Sequence, residues 1–417
     1  MIGQVELSDI NNHSHIPKRM RILFNVWCRA GHLNTSLSLA EHLVRVGDKV
    51  KFFCADYPSY MQERLRRVGL DIDCVGPELT MNMGQSGQVA DRLWLTRKLQ
   101  DPRWRLIHWE GWFVRAAALQ VRPLRKAITA FRPDLVCTDG MSYGGAIAAE
   151  LEAVPWVTFA NTWDLVAPAD YCGCPLRQTL EALDPVRKQM SASFGVDLTY
   201  RWNQVVSPYL NLTFCIEQLL PRDSVRVQTE LVGHYRMDIR GDECGFPWTT
   251  LDAARPLVYI SNGTVFQFEP DVVRDLAEAA LGEGAQVVLS GCPDSNDLGK
   301  RAVLVDYAPQ PQLLRRAALF VTHGGDNSVM EGLMAGVPLL VVPLAATQPV
   351  TAACVAQAGC ARVIDPWESE HGHYRTVVRE LLSVTAPERP RTKEIQMILE
   401  GLDAGRRGAE LLHQIVS

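Results

Sequence analysis

The stretch LFVTHGGDNSVMEGLMAGVPLLVV, Leu319–Val342, is the one whose reading decides the fold. Leu319–Thr322 is a short apolar run of strand type, and Leu339–Val342 is another. Between them Gly324-Gly325 makes a turn and Asn327–Ala335 carries helical periodicity. A strand, a tight glycine turn, a helix and a second buried strand form a βαβ unit, which places the two strands parallel in a sheet covered on both faces.

Working outward, the same rhythm recurs. Leu257–Ser261, Gln286–Ser290 and Val303–Val305 read as further strands, with helices over Pro270–Leu281, Gln310–Arg316 and Val350–Ala358. Nearer the N-terminus, Arg21–Cys28 (RILFNVWC) reads as a strand followed by a glycine turn and a helix to about Val46. Lys49–Cys54, Asp134–Thr138 and Trp156–Ala160 are strands, and Tyr57–Val68, Leu124–Phe131 and Tyr143–Glu152 helices. The rhythm lapses from Trp163 to Arg255, where Pro, Gly and aromatic residues break it. At 417 residues the chain exceeds one ordinary core. The pattern predicts two doubly wound α/β domains facing each other across a cleft, with ligands at the carboxyl ends of the strands. The expected divisions are a mobile tail over 1–20, a first domain over 21–237, and a linker over 238–255 marked by Gly241, Gly245 and Pro247. A second domain follows over 256–392, then a helical C-terminal stretch from Lys393 to Val416 that packs back on the first domain.

Composition narrows the class. Hydrophobic residues make up 47% and charged residues 21%, as in a folded globular chain. The formal charge of −5 argues against a nucleic-acid binder. No apolar run is long enough to span a membrane. The first twenty residues, with Asp9, His13, His15 and Lys18, lack the apolar core of a signal peptide, so a cytoplasmic location is expected. The 11 cysteines are scattered, and the lone Cys172-x-Cys174 pair is a poor zinc signal; reduced, buried thiols are the expectation.

The Thr322–Ser328 segment carries chemistry as well as fold. Gly324 and Gly325 let backbone amides approach a ligand, and the helix that follows directs unpaired N–H groups and partial positive charge outward. Asn327 and Ser328 add donors, and His323 stands where it can meet a phosphate oxygen. This suits a diphosphate. Glu331, one turn on, can accept from two ribose hydroxyls. Each piece also has an ordinary reading: a Gly-Gly tight turn, Asn and Ser as N-caps, a solvated Glu.

Taken together with VDYAPQPQLL (Val305–Leu314) and PLAATQ (Pro343–Gln348), the segment resembles the donor-binding signature of family 1 glycosyltransferases, in the flavour of bacterial macrolide and natural-product enzymes. Ala30–Val50 (AGHLNTSLSLAEHLVRVGDKV) resembles the family's first loop and helix, and Ser261-Asn262-Gly263-Thr264 its second phosphate loop. The likeness is weakest over 78–121 and 163–255. It implies the GT-B fold, two facing Rossmann-like domains. It also implies an inverting, metal-independent transfer of a sugar from a UDP or dTDP donor, with no cofactor. Tyr307 would lie under the base, the Ala308 backbone would pair with it, and Gln310 would hold the nucleoside. Gly263, Thr264, His323, Gly325, Asn327 and Ser328 would bind the diphosphate, and Glu331 the ribose. Thr347 departs from the pattern: many relatives have a carboxylate before the glutamine, here Gln348, to accept from sugar hydroxyls. A deoxy or otherwise modified donor sugar is one reading of Thr347, and neutral drift the other.

His32, after the first strand, is placed to take the proton of an acceptor hydroxyl, and Asp139, ending another strand, to orient its ring. The resemblance implies the same pair of roles; capping of the adjoining helices is the alternative. Trp94, Trp104, Trp109, Trp112 and Phe113 cluster within twenty residues, with Trp163, Tyr171 and Trp202 further on. Trp94, Trp109, Trp112, Phe113 and Trp163 are candidate walls for a hydrophobic acceptor, core packing being the commoner use of such residues. Arg97, Lys98, Arg103 and Arg105 solvate this segment or meet an acidic acceptor group. Two rivals remain at this level: a transferase acting on a lipid-linked acceptor at a membrane surface, and a non-catalytic nucleotide-sugar-binding partner.

Overall fold

The computed structural model describes residues 19–27, 29–54, 65–66, 69–74, 89–235, 245–292, 298, 301–367 and 371–416. Residues 1–18 of the expected tail, most of the helix expected over Tyr57–Val68, and residues 238–244 of the expected linker lie outside the described residues.

Two parallel sheets organise the chain. The first contains β1 (Arg21–Asn25), β2 (Lys49–Cys54), β3 (Asp71–Cys74), β4 (Leu135–Asp139), β5 (Trp156–Ala160), β8 (Asn211–Thr213) and β9 (Thr229–Leu231). Their spatial order is β3-β2-β1-β4-β5-β8-β9. The second contains β10 (Leu257–Ser261), β11 (Gln286–Ser290), β12 (Ala302–Val305), β13 (Ala317–Thr322), β14 (Leu339–Val341) and β15 (Ala361–Val363), in the order β12-β11-β10-β13-β14-β15. A small antiparallel pair, β6 (Thr199–Arg201) and β7 (Gln204–Val206), stands apart.

In each sheet the order of winding reverses once: between β1 and β4 in the first, between β10 and β13 in the second. Open α/β sheets form a ligand crevice at such a switch point, because the connections on either side run away from each other. The central strands are apolar on both faces: every residue of β4, β5 and β10 is buried. This is why they read as continuous runs rather than as alternation. Helices α1 (Ala30–Arg45), α4 (Ala116–Phe131) and α5 (Tyr143–Leu151) cover the first sheet. Helices α7 (Pro270–Gly282), α9 (Asp326–Met334), α10 (Gln348–Gln357) and α11 (His371–Leu382) cover the second.

Three stretches differ from the sequence reading. The helix expected to start at Leu124 starts at Ala116, with Pro123 inside it. It continues a helical run through α2 (Val89–Lys98), α3 (Pro102–Trp109) and a wide π-type turn at Glu110–Arg115. A proline removes a hydrogen-bond donor and marks a boundary in sequence, yet this one lies inside a helix whose Ala117, Val121, Leu124 and Ile128 are buried. The lapse after Trp163 holds α6 (Leu176–Ser193) and the three-residue strands β8 and β9, too short for any period to show. The C-terminal helical stretch is two helices, α12 (Glu388–Glu400) and α13 (Ala404–Val416), broken at Gly401–Asp403, where Asp403 caps the second by accepting from Arg406 N at 2.9 Å. α13 returns to α1: Ala404, Ala409, Leu411 and Leu412 join the core of the first sheet, and His413 Nε2 meets Asp48 Oδ2 at 2.8 Å. Among the described residues no helix is long and apolar enough to cross a membrane.

Candidate functional site

At the switch point of the first sheet, β1 and β4 run side by side with Asn25 in register with Thr138. Asn25 Nδ2 bridges the strand ends, donating to Thr138 Oγ1 at 3.1 Å and to the Ser142 carbonyl at 3.2 Å. Asp139, the next residue of β4, is fully buried. Its Oδ1 accepts from Met141 N at 2.9 Å, and its Oδ2 meets His32 Nδ1 at 2.5 Å. A carboxylate at Nδ1 selects the tautomer protonated there and leaves Nε2 as the basic nitrogen. His32 lies in the first turn of α1, and Trp27 stands edge-on to its ring, with centroids 4.7 Å apart.

At the switch point of the second sheet, β10 leads into Asn262-Gly263 and β13 into His323-Gly324-Gly325. Gly263 has φ +77°, and a β-carbon there would come within 2.8 Å of His323 Cε1. On the other side a β-carbon at Gly325 would come within 2.9 Å of His323 Nε2. The imidazole is therefore wedged between two backbones that must be glycine. Desolvation pushes its pKa down to about 4, so at neutral pH the ring is uncharged, with a single N–H to donate. Its Nδ1 has no hydrogen-bond partner among the described residues. α9 begins just beyond, and Gly325, its N-cap, supplies no side-chain cap. The first N–H groups of α9 are thus left to a ligand or solvent.

One turn into α9, Glu331 is buried and held on both oxygens: Oε2 accepts from Gln310 Nε2 at 2.9 Å, and Oε1 from Tyr235 OH at 2.8 Å. Gln310 opens α8 (Gln310–Leu314); its Nε2 also lies 3.2 Å from Ser328 Oγ, and its Oε1 accepts from Tyr259 OH at 3.2 Å. Beside this network Ala308 is buried, whereas the Tyr307 ring is 44% exposed, open to stack on a flat partner. Thr264 is exposed.

The two switch points meet. Asn327 Nδ2 donates to the Gly31 carbonyl at 2.6 Å and its Oδ1 accepts from Thr35 Oγ1 at 3.2 Å, joining the first turn of α9 to the first turns of α1. Asp326 Oδ1 accepts from Trp163 N at 3.3 Å and from Thr351 Oγ1 at 2.8 Å. Burial pushes the Asp326 carboxyl up to about 7, and that of Asp164, across the same contact, up to about 6. Gln100 Nε2 reaches the Leu344 carbonyl at 2.8 Å, and Gln267 N donates to Thr96 Oγ1 at 3.0 Å. Thr347 is buried at the start of α10, and Gln348 Oε1 accepts from Leu344 N and Ala345 N at 2.8 and 3.0 Å.

Known proteins resemble this chain in sequence and in fold. Residues 247–383 match the sequence profile of the family described as UDP-glucoronosyl and UDP-glucosyl transferase. The chain is a glycosyltransferase, similar to that family over those residues. The NDP-glycosyltransferase YjiC of Bacillus licheniformis is 25% identical over 378 residues, covering 88% of this chain and 89% of that protein. The uncharacterized UDP-glucosyltransferase YojK of Bacillus subtilis is 30% identical, but the match spans only 43% of its length. Among solved structures, the glycotransferase of kitacinnamycin superposes with a TM-score of 0.72 at 22% identity, covering 96% of this chain and all of that one, 100%. The glycosyltransferase VinC, solved in complex with dTDP, gives 0.68 at 20% identity, covering 95% and 99%. The fold is accordingly GT-B, and the chain uses a nucleotide sugar.

In this glycosyltransferase the aromatic candidates separate. Trp109, Trp112, Phe113 and Trp163 are buried in the core, with at most 6% exposure, whereas Trp94 is 48% exposed on α2. As placed, the four buried rings support a wall rather than forming its surface. Trp112 and Phe113 pack on Trp27, the ring beside His32, whose centroid lies 5.9 and 5.5 Å from theirs. Sequence reading passed over Trp27, Tyr235 and Asp326. Trp27 sits at the end of the first strand run, a position that carried the signal; for Tyr235 no local pattern exists.

Proposed function

We propose that this glycosyltransferase moves a sugar from a UDP- or dTDP-linked donor to a hydroxyl of a hydrophobic natural product, with inversion and with His32 as general base. The observation that carries the reading is the His32–Asp139 pair, placed at one switch point and tied through Gly31 and Asn327 to the N-terminus of α9 at the other. The acceptor hydroxyl gives its proton to His32 Nε2 as its oxygen attacks the anomeric carbon. The bond from that carbon to the diphosphate breaks, and its electron pair leaves with the diphosphate. Asp139 fixes the ring and stabilises the imidazolium that forms. The uncapped N–H groups of α9, the loop at Gly263 and Thr264, and the N–H of His323 receive the growing negative charge. No step calls for a metal ion or a cofactor. Tyr307, Ala308 and Gln310 hold the base side, and Glu331 the nucleoside sugar.

The donor sugar is read from Thr347 and Gln348. Gln348 spends its carbonyl oxygen on two backbone amides, so this corner offers an N–H and a hydroxyl rather than a carboxylate. That favours a sugar with fewer hydroxyl donors, such as a deoxysugar. The kitacinnamycin enzyme and the dTDP complex among the structural neighbours support a natural-product acceptor and a dTDP donor. Of the eight cysteines whose side chains are described, seven are buried free thiols, in keeping with a cytoplasmic enzyme.

Incubation with panels of UDP- and dTDP-sugars and hydrophobic aglycones, read by product mass, tests the proposal. A hexose-like mass increment on an aglycone supports it. Nucleotide binding without any product turns the weight toward a non-catalytic partner. The alternative of an acceptor presented at a membrane surface has one observation in its favour. Trp94, Trp104 and Ile107 are exposed together, with Lys98 Nζ 5.8 and 4.9 Å from the two indole rings.

A further inference from the structure

Glu331 is fixed by two donors that come from separate parts of the chain. Gln310 opens α8, which leads into β13 of the second sheet just before α9. Tyr235 follows β9, the last strand of the first sheet, and lies 96 residues before Glu331. Its ring is 3% exposed and packs on His234, with centroids 4.1 Å apart and planes inclined at 45°. The phenol is thus held by the backbone that leaves the first sheet, and its hydroxyl sets the orientation of one carboxylate oxygen on the second. A charge-assisted hydrogen bond of this kind is short and directional. A glutamate locked in this way meets the hydroxyls of a nucleoside sugar without first having to be ordered.

We infer that Tyr235 is a positioning residue for the nucleoside sugar: it acts through Glu331 and makes nucleotide affinity depend on where the chain leaves the first sheet. The inference rests on the assignment of Glu331 to the nucleoside sugar made above. It has a signature that a merely structural tyrosine lacks. Loss of its hydroxyl matters only to a ligand whose sugar offers a hydroxyl to Glu331.

The test is calorimetric titration of UDP or dTDP, whichever binds, beside the 2′,3′-dideoxy counterpart. Each is titrated into the wild type, Tyr235→Phe, Glu331→Gln and the double variant. The expected result is an affinity loss of about 5- to 10-fold for the natural nucleotide in Tyr235→Phe. No change is expected for the dideoxy nucleotide, and no further loss when Tyr235→Phe is added to Glu331→Gln. An equal loss for both nucleotides, or none for the natural one, overturns the inference. Failure of the underlying reading looks different: the wild type then binds both nucleotides equally and Glu331→Gln changes neither.

Discussion

The Asn327 side-chain amide donates to the Gly31 carbonyl at 2.6 Å, one residue before His32 and one residue after the start of α9. The proposed general base and the helix proposed to bind the diphosphate are therefore joined through the Asn327 side chain. Asn327→Asp replaces the donor with a carboxylate facing that carbonyl. The expected result is a fall in kcat/KM of about 10- to 100-fold, with an increase in radius of gyration measured by small-angle scattering as the halves part. An unchanged kcat/KM would show that the registration is immaterial.

Asp139→Asn keeps an oxygen for Met141 N but offers His32 Nδ1 no negative charge and permits the opposite tautomer. Turnover is expected to fall by about 10²- to 10⁴-fold while the donor dissociation constant stays within about 2-fold. Single-turnover kinetics beside nucleotide titration separates the two quantities. Loss of nucleotide affinity instead would mean that Asp139 shapes the fold and not the base.

Asp326 gives a prediction with a definite sign. Its folded pKa is raised to about 7 from the ordinary 3.8, so the native state binds the proton more tightly than the unfolded one. The stabilisation is complete below about pH 4 and is lost as pH rises through about 7. Asp326→Asn removes that loss. Thermal unfolding across pH 5 to 8 should show the variant gaining on the wild type as pH increases. A constant difference across the range would mean that the carboxyl does not titrate there. His323 works in the opposite direction: with its pKa depressed to about 4, it favours the native state above about 6.5 and loses that contribution as pH falls toward 4. The comparison is therefore made variant against wild type.

Gly263→Ala sets a β-carbon 2.8 Å from both His323 Cε1 and the Phe266 carbonyl, on a backbone with φ +77°. Strain of this kind costs about 1–3 kcal/mol, and the displaced imidazole should weaken nucleotide binding. Denaturant unfolding and titration with UDP or dTDP read the two effects. Wild-type values in both would show that His323 is not wedged.

How much of this was legible depends on distance along the chain. β10 and β13 were readable as continuous apolar runs and α9 as a periodic stretch between Gly325 and Gly336; the observed limits match for β10 and differ by at most two residues for the others. The placement of His32 after one apolar strand and of Asp139 at the end of another was legible from those two runs, and the structure brings the pair together. β8 and β9 were not, since three residues define no period. Pro123 and the wide turn at Glu110–Arg115 hid the long helical run before the first sheet's β4. For the aromatic cluster, composition cannot separate a ring that lines a wall from one that supports it, and burial of Trp109, Trp112, Phe113 and Trp163 was not legible. The joins across the cleft were beyond any local pattern, their partners lying 296 residues apart for Gly31 and Asn327 and 96 for Tyr235 and Glu331.

The most direct test of the central claim is the turnover of His32→Ala with an authentic donor and acceptor, set beside its affinity for the donor nucleotide. The account predicts a kcat lower by about 10²- to 10⁴-fold with nucleotide affinity unchanged within about 2-fold. A variant that transfers sugar at the wild-type rate would contradict it, and the proton of the acceptor would then have to leave by another route.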